Sequence, residues 1–220
     1  MHIPSHYVRA MLFGAAIGIG ILFVSHVPIQ DGFFSLQPVA SPTATPDRTA
    51  WRTYTNPSFG ITLKYPSMFS LVPGKSGPLA EWQLYGLTNG SEIASVNIPT
   101  SFQIRTNFLG ASLRIGVSKD PAAIEQCVTP SSDLGYADTY HVRMIGGQQF
   151  REFTRSDAGA GNFYEFISYR AVRNNGCEVF EYYIHKTNIQ NYPPSAGRKE
   201  FDRSVVISAL DSVLDTVQLK

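Results

Sequence analysis

The stretch from Ala10 to Val24 contains only Ala, Met, Leu, Phe, Gly, Ile and Val. Continued through Ser25 and His26 to Ile29, it reaches about 20 residues, the length an α-helix needs to cross the hydrocarbon layer. Arg9 precedes the run, Asp31 is the first charged residue after it, and no Lys or Arg follows until Arg48. Basic residues on one side only place the N-terminus in the cytoplasm and the remainder outside the membrane. The chain therefore reads as residues 1–9 cytoplasmic, 10–29 a transmembrane anchor, 30–50 a linker and 51–220 an extracytoplasmic domain. The rival reading is a cleaved signal peptide, but Val27-Pro28-Ile29-Gln30 offers none of the small residues of a cleavage site. Gly14 and Gly18 stand four apart, a spacing that lets two membrane helices approach closely and form a homodimer; glycine is also simply common in membrane helices.

Residues 37–50, QPVASPTATPDRTA, have no apolar period. Pro, Ser, Thr and Ala dominate, which makes this a semi-extended spacer. The domain beyond it begins near Trp51. A net charge of +1 supplies no field to draw nucleic acid, so none is expected as a partner.

Turn chemistry and alternation divide the domain into hairpins. Ile61, Leu63 and Tyr65 alternate with Thr62 and Lys64, and Asn56-Pro57-Ser58-Phe59-Gly60 turns into that strand. Strands are also predicted at 82–87 and 93–98 around Asn89-Gly90, at 112–117, and at 142–145 and 148–154 around Gly146-Gly147. A long strand at 163–172 turns at Asn174-Asn175-Gly176 into another at 177–185, and Asp157 to Asn162 reads as a flexible turn. A short helix over 121–128 has Asp120 as its N-cap and Pro121 in its first turn. Phe201, Val205, Val206, Ala209, Leu210, Val213, Leu214 and Val217 recur at helical spacing, and 216–219 adds a last short strand. The predicted fold class is α+β: an antiparallel sheet of hairpins with the C-terminal helix packed on one face.

Cys127 and Cys177 are the only cysteines. An even count outside the membrane fits one disulfide, and two buried free thiols are the alternative.

The common catalytic motifs are missing. The chain has no G-x-S-x-G, no H-E-x-x-H and no paired C-x-x-C. Gly159 and Gly161 begin a G-x-G, but Tyr164 occupies the third glycine position, so no dinucleotide cofactor is expected. No metal, cofactor or catalytic residue is assigned. His141 and His185 fall at strand ends, where a meeting with Asp138 or Asp157 would make a metal or catalytic site. Glu165, Glu178 and Glu181 are expected to face solvent. Tyr164, Tyr169, Tyr182 and Tyr183 are the candidate binding surface, a shallow platform for sugar or peptide unless ordinary sheet packing absorbs them.

The segment Tyr54-Thr55-Asn56-Pro57-Ser58-Phe59-Gly60-Ile61-Thr62-Leu63-Lys64-Tyr65-Pro66 resembles the opening of exported bacterial domains related to PsbP of the oxygen-evolving complex. Those open with a short strand, an N-P-x-x-G turn and a strand ending in Tyr-Pro. The helix from Phe201 and the short strand after it resemble the end of that family. The resemblance implies an antiparallel sheet between helices and a binding or assembly role; it carries over no catalytic residue and implies nothing photosynthetic. The resulting expectation is a membrane-anchored binding or assembly module of the bacterial envelope, with a protein or cell-wall partner. The alternative is an envelope hydrolase whose site is built from residues distant in sequence.

Overall fold

The structure, a computed structural model, describes residues 50–74, 90–129 and 137–220. The anchor, the Gly14–Gly18 pair, the linker and the strand expected at 82–87 lie outside the described residues. Among the described residues no helix is long and apolar enough to cross a membrane.

The architecture is α+β. Strands β1 (Trp51–Asn56), β2 (Ile61–Pro66) and β10 (Gln218–Leu219) form a small antiparallel sheet with β2 in the middle. The large sheet contains β3 (Ser70–Pro73), β4 (Gly90–Ile98), β5 (Phe108–Ser118), β6 (Ala137–Ile145), β7 (Gln148–Gly159), β8 (Asn162–Arg173) and β9 (Gly176–Thr187). Its order is β3-β4-β5-β9-β8-β7-β6, with every neighbouring pair antiparallel. Helix α1 (Pro121–Glu125) lies between β5 and β6 in the chain, and α2 (Arg203–Leu214) precedes β10.

Consecutive hairpins build the β6–β9 half. The turns Gly146-Gly147, Ala160-Gly161 and Asn174-Asn175 all have both residues at positive φ. That is the two-residue turn whose twist matches the flanking strands, which is why Gly and Asn occupy most of these positions. Strand β7 therefore runs on to Gly159, through the segment expected to be a flexible turn.

One face of the large sheet carries the main core. Leu113 and Ile115 of β5 and Phe180, Tyr182 and Ile184 of β9 meet Val206, Ala209, Leu210 and Val213 of α2, with Ile61 and Leu63 of β2 completing the cluster. Helix α2 begins at Asp202, whose carboxylate accepts from the Ser204 and Val205 backbone N–H groups. These bonds hold the Asp202 carboxyl below its ordinary range, the Ser204 hydroxyl contributing most.

Helix α1 covers one end of the other face. Asp120 caps it as expected, but it ends at Glu125 rather than Val128. Cys127 and Cys177 form a disulfide, buried with Ala123 and Val179, that ties the end of α1 to β9.

Candidate functional site

Strand alternation sends adjacent residues to opposite faces. Tyr182 points into the core and Tyr183 to the other face; on β8, Tyr169 is a core residue and Tyr164 is not. The four candidate tyrosines thus divide. Tyr169 and Tyr182 are 4% and 0% exposed. The Tyr182 hydroxyl donates to Asp211 Oδ1 of α2 at 2.7 Å. Arg143 of β6 donates to the same carboxylate and, at 2.8 Å, to Asp215. Burial, with the Asp211 carboxylate alongside, raises the Tyr182 hydroxyl far above its ordinary value, so it remains a donor. Tyr182 thus fastens α2 to the sheet, and Tyr169 packs edge-on against the Tyr182 ring.

Tyr164 and Tyr183 come together on the opposite face. Their rings stack at 6.0 Å between centroids, and Tyr164 stacks on His185 at 4.5 Å. The Arg114 guanidinium lies over the Tyr183 ring at 4.1 Å. The His185 Nε2 is 2.9 Å from Asn162 Oδ1, and burial lowers the imidazole below its ordinary value, favouring the neutral ring at neutral pH.

Beside this stack lies an open cleft of about 330 Å³ across β4, β5 and β9. Ser95, Asn97, Ser112, Arg114, Tyr183 and His185 line it. The register explains the grouping: Ser95 is opposite Arg114, Asn97 opposite Ser112, and Ser112 opposite Tyr183. Glu92, near a β-bulge in β4, closes one side. Ser95 and Ser112 are buried, yet neither hydroxyl has a hydrogen-bond partner among the described residues, and no carboxylate pairs with Arg114 there. Both hydroxyl oxygens keep access to the cleft, so they are open to bond what enters it. Alternation in β4 and β5 could have revealed this row. In sequence alone, Ser, Asn and Arg on a strand are indistinguishable from an ordinary solvated face.

The remaining candidates are dispersed. His141 is exposed on β6, 3.9 Å from Glu152. Strands β7 and β8 separate β6 from β9, so His141 and His185 stand roughly 14 Å or more apart by strand spacing. Asp157 pairs with Arg155 at 2.8 Å and caps its own neighbour, Ala158. Among the described residues, no cluster of His, Cys, Asp and Glu is arranged to hold a metal ion.

The glutamates depart from expectation. Glu178 and Glu181 are 2% exposed. Glu165 is half-buried and bonds Arg203 in bidentate fashion. Glu178 receives Arg173 Nε at 2.8 Å; burial raises its carboxyl and Arg173 opposes that rise. Alternation assigns a residue to a face, but it does not show that both faces are covered.

A second cleft of about 270 Å³ opens where β7–β9 meet the start of α2, with Phe163, Ile184 and Phe201 beneath Lys186 and the Arg203–Glu165 pair. Its charges balance within the protein, unlike those of the first cleft.

No protein-family profile and no curated protein sequence matches the chain. Among solved structures it is similar to a protein from Bacteroides thetaiotaomicron VPI-5482, with 12% identity, 77% of this chain and 48% of the other covered, and a TM-score of 0.38. The chain spans about half the length of that protein. It is also similar to cyanobacterial PsbP (CyanoP) from Synechocystis sp. PCC 6803, with 12% identity, 78% and 93% covered, and a TM-score of 0.28. Neither likeness carries over a site residue.

Proposed function

We propose that the chain is a membrane-anchored binding module of the bacterial envelope, with its α+β domain outside the cytoplasm and the β4–β5–β9 cleft as its ligand site. The observation that carries the binding role is the row of Ser95, Ser112 and Arg114, whose polar groups are left unused by the protein among the described residues. The apolar run at 10–29, flanked by Arg9 and Asp31, supports the anchor. The disulfide supports an oxidising compartment. The open, aromatic-walled cleft suits binding better than the hydrolase alternative, because the two histidines lie on strands with two others between them.

Protease treatment of intact spheroplasts tests the location. Loss of the 51–220 region without cell lysis is expected, with full-length mass in untreated membranes; protection of that region overturns the outward orientation. A photoreactive residue in place of Asn97, in the 220-residue chain in cells, tests the cleft. Adducts are expected at 97, abolished by Arg114→Ala with Tyr183→Ala, and absent from a control at exposed Met68. No adduct at 97, or equal adducts at both positions, overturns the cleft as the ligand site.

A further inference from the structure

We infer that the ligand of this cleft is a glycan bearing a hexuronate unit, whose carboxylate is bound by Arg114 and whose ring hydroxyls are bound by Ser95, Asn97 and Ser112. The inference rests on the cleft being the ligand site and adds the chemical class of what fills it.

Arg114 supplies the anion specificity. Its guanidinium carbon lies 4.1 Å from the centre of the Tyr183 ring. This ring contact takes up no conventional hydrogen bond of the guanidinium, whose N–H donors form a fork that matches a carboxylate. Within the protein, arginines facing carboxylates are paired: Arg143 with Asp211 and Asp215, Arg155 with Asp157, Arg173 with Glu178 and Arg203 with Glu165. Arg114 has no such partner among the described residues. His185, the other basic group in the cleft, is held by Asn162. Arg114 is thus the cleft's permanent cation.

The polyhydroxyl specificity comes from the neighbours. Ser95, Asn97 and Ser112 sit around Arg114 on two paired strands, and their side chains hydrogen-bond to no described residue. Glu92 adds an acceptor one cross-strand step beyond, opposite Gly116. Two residues along a strand cover roughly 7 Å, a distance one sugar ring with its substituents can bridge. Glu92 at that separation repels a second carboxylate and accepts from hydroxyls. An extended peptide would bind by adding a strand at a sheet edge. Here β4 and β5 are both interior strands, so their backbone groups are consumed by the ladders and recognition falls to side chains.

Calorimetry on the 220-residue chain in mild detergent tests this. The probes are tetramers of galacturonate, glucuronate and mannuronate, each against its methyl ester, which removes the charge and little else. At least one acid is expected to bind tenfold or more tighter than its ester. Arg114→Met should erase that preference, while Ser112→Ala should weaken acid and ester together. Arg114→Lys keeps a charge and loses the fork, so it should retain only part of the preference; it is the variant to read if Arg114→Met lowers the melting temperature. Equal binding of acid and ester overturns the hexuronate inference, yet leaves the cleft standing if Ser112→Ala still weakens the ester. Binding of no tetramer, or tighter binding of a tetrapeptide with a free C-terminal carboxylate, also overturns it. The cross-link at position 97 then decides the cleft reading separately.

Discussion

Arg173 shows how much one side chain can join. Its guanidinium donates to Glu178, to the Phe59 carbonyl at 3.1 Å and to the Lys220 carbonyl at 2.6 Å, linking β8 to the β1–β2 turn and to the last residue. Glu178 is buried against it, with a carboxyl raised by burial above its ordinary value. A carboxyl raised on folding contributes stability that is complete below its ordinary value and is lost as pH rises through the folded value. Relative to Glu178→Gln, the wild-type chain should therefore lose unfolding free energy as pH rises above the ordinary glutamate range, measured by urea denaturation from acid to neutral and mildly alkaline pH. An equal pH dependence in both proteins would refute this. Glycines give a second contrast at this scale. Gly146 and Gly147 both have positive φ, but a Cβ on Gly146 would lie 2.9 Å from the Leu219 nitrogen and one on Gly147 would meet nothing within 4 Å. Gly147→Ala should cost about 1 kcal/mol from backbone strain alone. Gly146→Ala adds a clash with the β10 backbone and should cost about 3 kcal/mol. Equal midpoints in chemical denaturation would show that β10 yields freely.

Among elements, α2 depends on a polar fastening as well as its apolar stripe. Tyr182→Phe removes the donor to Asp211 and the acceptor for Arg143, and should cost about 2 kcal/mol in unfolding free energy. A loss below about 0.5 kcal/mol would show that α2 does not depend on this fastening. The split of the tyrosines between the two faces bears on what the sequence could disclose. Parity alone separates Tyr182 from Tyr183 and Tyr164 from Tyr169, so the division of the four was legible. Which member of each pair meets α2 was not, because apolar residues occur on both faces of β8 and β9. The hairpins at Gly146-Gly147 and Asn174-Asn175 were legible because few residues tolerate two successive positive φ values. Strand β3 was not, as four residues show too little alternation to count. The Ser95–Ser112–Arg114 row was obscured for a related reason: its meaning lies in missing intramolecular bonds, which only a three-dimensional register reveals.

For the whole molecule, the disulfide is the longest covalent shortcut, joining residues separated by 50 positions. In the chain-entropy treatment such a closure is worth about 4 kcal/mol, and α1 otherwise rests on the sheet mainly through Ala123 and Val179. Cys127→Ser with Cys177→Ser should thus lower the denaturation free energy by about that amount, and reductant added to the wild type should match it under denaturing conditions that expose the bridge. A loss below about 1 kcal/mol would mean that the unfolded chain is already compact there. Strand β10 has a different kind of reach. It pairs with β2, made some 150 residues earlier (Thr216 Oγ1 also accepts from Lys64 N, 152 positions away), and bridges to Gly146 at the tip of the β6–β7 hairpin. The β6–β9 meander can zip up from neighbouring contacts as it emerges from the ribosome. The small sheet must wait for residues 218 and 219, so β2 stays with one edge unpaired while some 150 further residues are made. Until residues 218 and 219 arrive, the domain therefore carries an open strand edge that local contacts cannot close.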